Sequence, residues 1–179
     1  MTTESNSELQ KCIRIIGIDP GYARCGWSIL DKYNDHQYLV AYGCIETTVA
    51  DPLEQRMLVI YEGIAAILKK YHPSVAGIET IYFSISTKTA MKVSEARGVI
   101  ILALTQNNVA VTAYTPGQIK RAVTGNWKGS KDEVKAGVYA TLSLTENIKP
   151  DDTVDAIAAA LTHSITVSNP EAHHLAVCS

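Results

Sequence analysis

The sequence predicts an α/β domain built on a five-stranded mixed sheet with flanking helices, and two patterns carry this prediction. Early in the chain, three apolar segments follow one another with short polar connections, which is typical of an antiparallel meander. Further on, apolar segments alternate with stretches of helical spacing, which is typical of parallel crossovers. The 179 residues, 46% hydrophobic and 19% charged, suit one domain with a substantial core.

Three strands are predicted first. Residues 13–18 form an apolar, β-branched run that ends in Asp-Pro-Gly, which indicates a buried strand followed by a turn. Residues 26–30 and 38–45 are the next two strands, and the polar stretch 31–37 connects them. Because these connections are short, we expect antiparallel pairing.

A helix signal follows the meander. Asp51 suits the N-cap, Pro52 suits the first helical position, and apolar residues then recur at helical spacing. His72-Pro73 ends the helix, and residues 75–78 form the fourth strand. The parallel pair most easily formed joins the first and fourth strands.

The rest of the domain is mostly helical. A second helix covers residues 88–106, a fifth strand covers residues 109–114, and the Thr-Pro pair at 115–116 begins a third helix. A segment of capping-box form at 130–133 begins a fourth helix. The last helix begins near Asp151 and is rich in alanine.

The domain is expected to span residues 13–167, with a flexible leader at 1–12 and a short tail at 168–179. The opening MTTESNSELQ is polar and lacks the basic-then-apolar layout of a signal peptide. The longest apolar stretches, such as residues 98–104, are too short to span a bilayer. We therefore expect a cytoplasmic protein without membrane contact.

The net charge of −2 conceals an uneven distribution. Residues 88–135 contain eight basic and three acidic side chains, a net +5, so the remainder of the chain carries −7. A basic central segment in an acidic chain suits an anion-binding surface that faces a metal-binding one. Solvated lysines on surface helices explain the same pattern equally well.

Two carboxylates follow strands that are predicted to be neighbours. Asp19 lies at the carboxyl end of the first strand, and Glu79 lies at that of the fourth. If these strands are parallel, their ends lie about 4.8 Å apart, at the edge where open α/β sheets place their sites. Taken singly, a common turn sequence and a solvated acid explain the two residues.

The last helix adds two aspartates. Asp152 and Asp155 are three residues apart and share one helix face, although acids in a first turn also favour the helix dipole. Asp151 beside Asp152 leaves a one-residue ambiguity, and the spacing to Asp155 supports Asp152. Four converging acids would raise one another's pKa, and divalent cations that prefer oxygen ligands, Mg²⁺ or Mn²⁺, would resolve the repulsion.

In order and spacing, four motifs resemble those of the RuvC-type Holliday-junction resolvases over nearly the whole chain. They are Ile16-Gly17-Ile18-Asp19-Pro20-Gly21, Ile78-Glu79, Glu95-Ala96-Arg97-Gly98, and Asp152-x-x-Asp155-Ala156-Ile157-Ala158. The last motif continues to His163. The resemblance implies a ribonuclease-H-like fold. It also implies a homodimeric, metal-dependent endonuclease that nicks two opposed strands of a four-way DNA junction symmetrically, in recombination and repair.

The resemblance further implies roles for single residues. The positions that match catalytic, metal-binding carboxylates are Asp19, Glu79, Asp152 and Asp155, with two Mg²⁺ per subunit and Mn²⁺ able to substitute. The positions that match DNA-binding groups are Tyr82, Lys120 and Lys131, to which Phe83 and Arg97 are added as candidates. The second helix looks like the dimer-interface helix of the family, and a branch-migration motor is an expected partner.

Some of these roles have alternatives. Lys120 and Lys131 are otherwise solvent-facing, and Tyr82 otherwise belongs to the core. Phe83 is the only phenylalanine of the chain and is a second candidate for stacking on unpaired bases, a contact worth about 1–3 kcal/mol per base. Arg97 is either structural or phosphate-binding.

Several positions depart from the pattern of the family. Ser86 stands where an asparagine is usual and Thr89 where a serine is usual, and Trp127 lies in a loop (125–130) that normally lacks it. These changes fall in DNA-facing loops, so the preferred cleavage sequence is the property least expected to carry over. His163 is interpreted as a packed helix residue rather than a ligand.

Two other functions agree with parts of the sequence. A non-catalytic junction-binding module would need the basic and aromatic groups without a complete acidic set, whereas all four carboxylates are present. A fragment of an actin-like phosphotransferase would share the strand-Asp-x-Gly turn. Such enzymes need two such domains, and the sequence has no glycine-rich phosphate loop. The resolvase interpretation is therefore preferred.

Overall fold

The computed structural model describes residues 12–80 and 87–167, which form one mixed sheet with helices on both faces. The strands are β1 Cys12–Asp19, β2 Arg24–Tyr33, β3 His36–Glu46, β4 Val75–Glu79 and β5 Ala110–Tyr114. The helices are α1 Leu53–Tyr71, α2 Thr87–Gln106, α3 Pro116–Thr124, α4 Lys131–Thr141 and α5 Asp151–Val167. The sheet order is β3-β2-β1-β4-β5, in which β1–β4 and β4–β5 are parallel and the other pairs antiparallel. The predicted five-stranded mixed sheet is confirmed.

Strand β1 divides the core between the two faces of the sheet. Ile16 and Ile18 pack with α1 and α2 on one face, whereas Ile15 packs with α5 on the other. Because side chains alternate along a strand, Gly17 and Asp19 belong to the α5 face. Helix α5 is buried over most of its length and contacts β1, β2 and β4, so it covers the centre of the sheet.

The connection between β2 and β3 is shorter than the sequence predicts. Residues 31–37 are expected to connect the two strands, but β2 and β3 leave only a two-residue turn between them. Asp31 is buried because it accepts two hydrogen bonds of 2.7 Å from the guanidinium of Arg14. Lys32 is buried because its ammonium donates to the carbonyl of Ser164 at 2.8 Å. Distant partners thus satisfy polar side chains that locally indicate a loop.

The start of α1 also differs from the prediction. Asp51 is expected at the N-cap and Pro52 inside the helix, whereas Pro52 itself is the N-cap and no side chain caps the helix. The amide of Asp51 donates to the carbonyl of Thr48 at 3.3 Å, so Asp51 belongs to the preceding turn. The predicted N-cap at Asp51 is therefore wrong by one residue.

Helices α3 and α4 begin where the sequence predicts. The hydroxyl of Thr115 accepts from the amide of Gln118, whose side chain accepts from the Thr115 amide. Ser130 and Glu133 make the same reciprocal pair at the start of α4. These capping boxes satisfy amides that a helix leaves unpaired, and they fix the first turn of α4, which begins at Lys131.

Neither stretch of the described chain, 12–80 or 87–167, contains a helix long and apolar enough to cross a bilayer. The predicted leader and tail lie outside the described residues, apart from Cys12, where β1 begins.

Candidate active site

Asp19 and Glu79 lie side by side at the carboxyl ends of parallel strands. Ile18 of β1 is the register partner of Ile78 of β4, so the two carboxylates occupy the next position on each strand. Alternation places Asp19 on the same face as Gly17 and Glu79 on the same face as Gly77, and that face is covered by α5. The predicted pairing of the first and fourth strands is confirmed, and with it the common edge of these two acids.

Helix α5 approaches the sheet closely because glycines lie beneath it on three neighbouring strands. A β-carbon would meet the α5 backbone at each of them: at Gly26 the carbonyl of Asp152, at Gly17 the amide of Ala160 at 2.6 Å, and at Gly77 the carbonyl of Ala159 at 2.6 Å. Any larger residue would force the helix away from the strands, since backbone atoms cannot yield as a flexible side chain can.

This contact carries the two α5 aspartates to the edge occupied by Asp19. Asp19 is the register partner of Gly26, over which the carbonyl of Asp152 lies. Asp155 follows Asp152 by three residues and lies on the same helix face. The structure therefore brings together all four carboxylates that the sequence analysis selected.

The charges of these acids interact strongly. Burial is the main cause that raises the pKa of Asp19 to about 8, and repulsion from Glu79, Asp155 and Asp152 adds to it. Burial, followed by repulsion from Asp155, raises the pKa of Glu79 to about 7, although the charges of Lys131 and Lys120 oppose this shift. Asp19 therefore favours the neutral form at neutral pH and Glu79 titrates there, whereas a bound cation would favour the ionised form of both.

Two cations already accompany the α5 aspartates. The Lys131 ammonium lies 2.9 Å from Asp155 Oδ2, and the Arg24 Nε lies 3.1 Å from Asp152 Oδ2. The pKa of Asp155 is raised by burial, and the hydrogen bond from Lys131 partly offsets that rise. The same hydrogen bond raises the pKa of Lys131, which keeps its ammonium charged.

The donor set suits a hard divalent cation. All four groups are carboxylates, and oxygen ligands are those that Mg²⁺ and Mn²⁺ prefer. Among the residues that the structure describes, no three Asp, Glu, His or Cys side chains converge closely enough to form a finished ligand set. One carboxylate oxygen of Asp152 and one of Asp155 each lie beside a basic side chain. The residues fit a metal that competes with these ion pairs.

Only some of the predicted DNA-binding residues lie near the carboxylates in the structure. Lys120 and Lys131 act electrostatically on Glu79, so both lie near the carboxylates. Arg97 is half-buried in α2, and its Nε has no hydrogen-bond partner among the described residues. Tyr82 and Phe83 lie outside the described residues. The DNA contacts of all five stay predictions.

One residue of the site was not selected from the sequence. Arg24 begins β2 and pairs with Asp152, whereas the predicted strand begins only at Gly26. A sequence signal existed, since Arg24 is separated by a short turn from Asp19 and antiparallel pairing returns the chain to the same edge. The His163 interpretation agrees with the structure, because its ring is buried and its Nδ1 shares a 2.9 Å hydrogen bond with the Tyr114 hydroxyl.

Comparison with known proteins identifies relatives along most of the chain. A family model described as "Crossover junction endodeoxyribonuclease RuvC" matches residues 15–163. A protein of that name from Brachyspira hyodysenteriae is 46% identical over 149 residues, which cover 83% of this chain and 92% of the relative. Another from Caldicellulosiruptor saccharolyticus is 39% identical over 158 residues, which cover 88% of this chain and 95% of the relative.

Solved structures show the same fold. Thermus thermophilus RuvC is 28% identical, covers 87% of this chain and 95% of its own, and superposes with a TM-score of 0.80. The T. thermophilus protein in complex with a Holliday junction substrate is 29% identical with the same coverage and a TM-score of 0.83. The sheet, its helices and the ribonuclease-H-like fold are thus those of RuvC. On the family match and on these identities, the chain belongs to the RuvC family of crossover junction endodeoxyribonucleases.

Proposed function

We propose that this protein is a metal-dependent endonuclease that resolves four-way DNA junctions by paired symmetric nicks, in homologous recombination and DNA repair. The observation that carries the proposal is that Asp19 and Glu79 of parallel strands share one edge of the sheet with Asp152 and Asp155 of α5, where their charges repel one another. Family membership and the T. thermophilus structure with a Holliday junction substrate support the choice of substrate.

In this proposal the four carboxylates hold two Mg²⁺ ions per subunit, and Mn²⁺ substitutes for them. Bound there, such ions would supply electrostatic stabilisation for the attacking and leaving oxygens of the phosphodiester, while the four carboxylates would hold them. Burial and repulsion raise the pKa of Asp19 and of Glu79, which is the electrostatic situation that divalent cations relieve.

The basic side chains next to the carboxylates position the DNA. Lys120 and Lys131 flank Glu79 and Asp155, so a phosphate that enters the site meets two positive charges there. Arg97 is assigned to a further phosphate. Tyr82, with Phe83 as the alternative, is assigned to stacking on unpaired bases at the centre of the junction.

Helix α2 is proposed as the dimer interface. Met91, Gly98 and Leu102 recur at seven and four residues and so share one helix face. Met91 is 61% and Leu102 is 52% exposed, and a β-carbon on Gly98 would meet nothing within 4 Å. A two-fold dimer through this face would present two active sites to two opposed strands. Leu102→Glu should convert a dimer to a monomer in light scattering and uncouple the paired nicks.

Cleavage of a mobile four-way junction tests the activity. In Mg²⁺, cut positions are mapped on all four strands, beside linear duplex and RNA–DNA hybrid controls. Paired nicks at symmetric positions of the junction are expected, with little cleavage of either control. Asp19→Asn should abolish cleavage and retain junction binding, because it removes a ligand and leaves the basic side chains in place.

The matched control is Asp35→Asn, since Asp35 is an exposed aspartate in the β2–β3 turn at the far end of the sheet. Its cleavage rate should equal that of the parent protein. Cleavage by Asp19→Asn at the parent rate would refute the mechanism, and preferential cutting of the hybrid would indicate another reaction. The motor partner and the cytoplasmic location stay predictions.

A further inference from the structure

An exposed tryptophan lies in the loop between α3 and α4. Trp127 is 50% exposed, although tryptophan is a large apolar residue that folded proteins usually bury for the most part. Its ring packs on the first turn of α3, where a β-carbon on Gly117 would lie 3.0 Å from Cε3. The guanidinium of Arg121 lies 5.1 Å from the ring centroid, within the range of a cation–π contact.

Hydrogen bonds fix the loop that carries this tryptophan. Gly125 has a φ of 76° and ends α3, and its amide donates to the carbonyl of Arg121 at 2.8 Å. The amide of Asn126 donates to the hydroxyl of Thr124 at 3.1 Å, and the Asn126 side chain accepts from the amide of Lys128 at 3.0 Å. The indole is therefore presented in a defined place, and little conformational entropy would be lost when it binds a partner.

The exposed indole lies on the same edge of the sheet as the carboxylates. Gly117, against which it packs, follows Tyr114 by three residues, and Tyr114 is the register partner of Glu79. The loop ends at Ser130, immediately before Lys131, whose ammonium pairs with Asp155. Both ends of the segment are thus anchored beside the candidate active site.

The charge of this segment identifies the kind of partner. Residues 116–141 contain five basic and two acidic side chains, a net +3. Glu133, one of the acids, is engaged in the capping box, where it accepts from the amide of Ser130 at 2.6 Å. An exposed aromatic ring within a basic surface, next to a centre that acts on phosphodiesters, suits the sugar–phosphate backbone of DNA.

We infer that Arg121 and Trp127 form a platform that binds the backbone of one junction arm beside the active site, with Arg121 on a phosphate and the indole on the adjacent deoxyribose. This inference rests on the proposed function and adds two contacts that position the arm. The indole also orients Arg121, because the guanidinium lies over its ring. The contact reads backbone shape and carries no base specificity.

Binding of a labelled four-way junction tests the platform. Fluorescence anisotropy is measured in Mg²⁺ in the Asp19→Asn background, between about 50 and 200 mM salt, the range over which phosphate contacts dominate affinity. Arg121→Gln should reduce the slope of log K against log salt by about one. Trp127→Ala should weaken binding about tenfold, as expected for loss of one aromatic contact. Trp127→Phe should restore most of that affinity.

The combined Arg121→Gln, Trp127→Ala protein should bind more tightly than the product of the two single effects predicts, because the indole orients the guanidinium. Tyr38→Ala is the matched control, since Tyr38 is 55% exposed at the opposite end of the sheet, and it should bind like the parent. Circular dichroism of each variant checks its folding. If Trp127→Ala is unfolded, Arg121→Gln and Trp127→Phe still decide the matter through the salt slope and the affinity.

The inference is overturned if Arg121→Gln and Trp127→Ala both bind within twofold of the parent with the same salt slope. It is also overturned if Tyr38→Ala weakens binding as much as they do. A different result would refute the proposed function: the parent protein would bind the junction no more tightly than it binds linear duplex. If the parent prefers junctions and the variants bind as tightly as the parent, only the platform is refuted.

Discussion

The carbonyl oxygen of Asp152 lies directly over Gly26, so close that no β-carbon could be added to that glycine without moving the helix. Gly26 is in turn the register partner of Asp19. One backbone contact therefore sets the separation between a carboxylate on β1 and the pair of carboxylates on α5.

Gly26→Ala should displace α5 and impair both folding and cleavage. The new methyl group meets backbone rather than a movable side chain, and overpacking of this kind costs about 1–3 kcal/mol or more of unfolding free energy. Urea denaturation measures the stability, and junction cleavage measures the site. Gln55→Ala is the control for stability, since Gln55 is exposed on α1. It should change the unfolding free energy by less than about 0.5 kcal/mol.

Asp19→Asn should make the protein more stable when metal is removed by a chelator at pH 8. The folded state holds the proton of Asp19 up to a pKa of about 8, whereas an unfolded aspartate releases it near 3.9. This group thus contributes stability that is present below about pH 4 and is lost as the pH rises to about 8.

Urea denaturation at pH 5 and at pH 8, both with a chelator present, shows whether the unfolding free energy falls or rises with pH. The parent protein should lose unfolding free energy over this interval, and Asp19→Asn should lose less, because its amide does not ionise. Mg²⁺ or Mn²⁺ should restore the parent at pH 8 and should have little effect on the variant. If the parent gained unfolding free energy relative to the variant as the pH rose, the burial and repulsion assigned to Asp19 would be contradicted.

Lys131→Gln should reduce the rate of junction cleavage about tenfold or more, a loss of at least roughly 1.4 kcal/mol of transition-state stabilisation. The substitution removes the ammonium that lies 2.9 Å from Asp155 and that lowers the pKa of Glu79. Single-turnover kinetics measures the rate. Lys135→Gln is the matched control one turn further along α4, where the ammonium is 3.7 Å from Asp151, and it should change the rate less than twofold. Equal effects of the two variants would argue for a general loss of positive charge.

Tyr114→Phe should lower the unfolding free energy by about 1–2 kcal/mol, because the buried ring of His163 loses a 2.9 Å hydrogen bond. The pair joins β5 to α5 behind the active site. Tyr42→Phe removes a hydroxyl that donates to Glu146 in an exposed position and should change stability by less than about 0.5 kcal/mol. Thermal unfolding of the two variants compares them, and a Tyr114 effect no larger than that of Tyr42 would count against the buried pair.

Much of the site could be predicted because it depends on local patterns. Asp19 and Glu79 each end an apolar run that indicates a strand, and the register Ile18–Ile78 then aligns them. The spacing of Asp152 and Asp155 places both on one helix face. This shared face depends only on helix geometry and not on where the helix packs.

What the sequence did not reveal depends on partners that are distant along the chain. Asp31 and Lys32 look like loop residues, but they extend β2 because Arg14 and the carbonyl of Ser164 satisfy them. Arg24 belongs to the site only because Asp152 returns to it on the last helix. Interactions of this kind leave no periodicity to detect, so only the assembled fold shows them.

Helix α5, which packs over the three glycines, is the last helix of the described residues along the chain. Asp19 and Glu79 are synthesised early, and Asp152 and Asp155 come from the last described helix. A nascent or truncated chain that has formed the sheet but lacks α5 therefore contains only half of the carboxylates. The proposed metal site is therefore complete only once α5, the last helix of the described residues, has packed on the sheet.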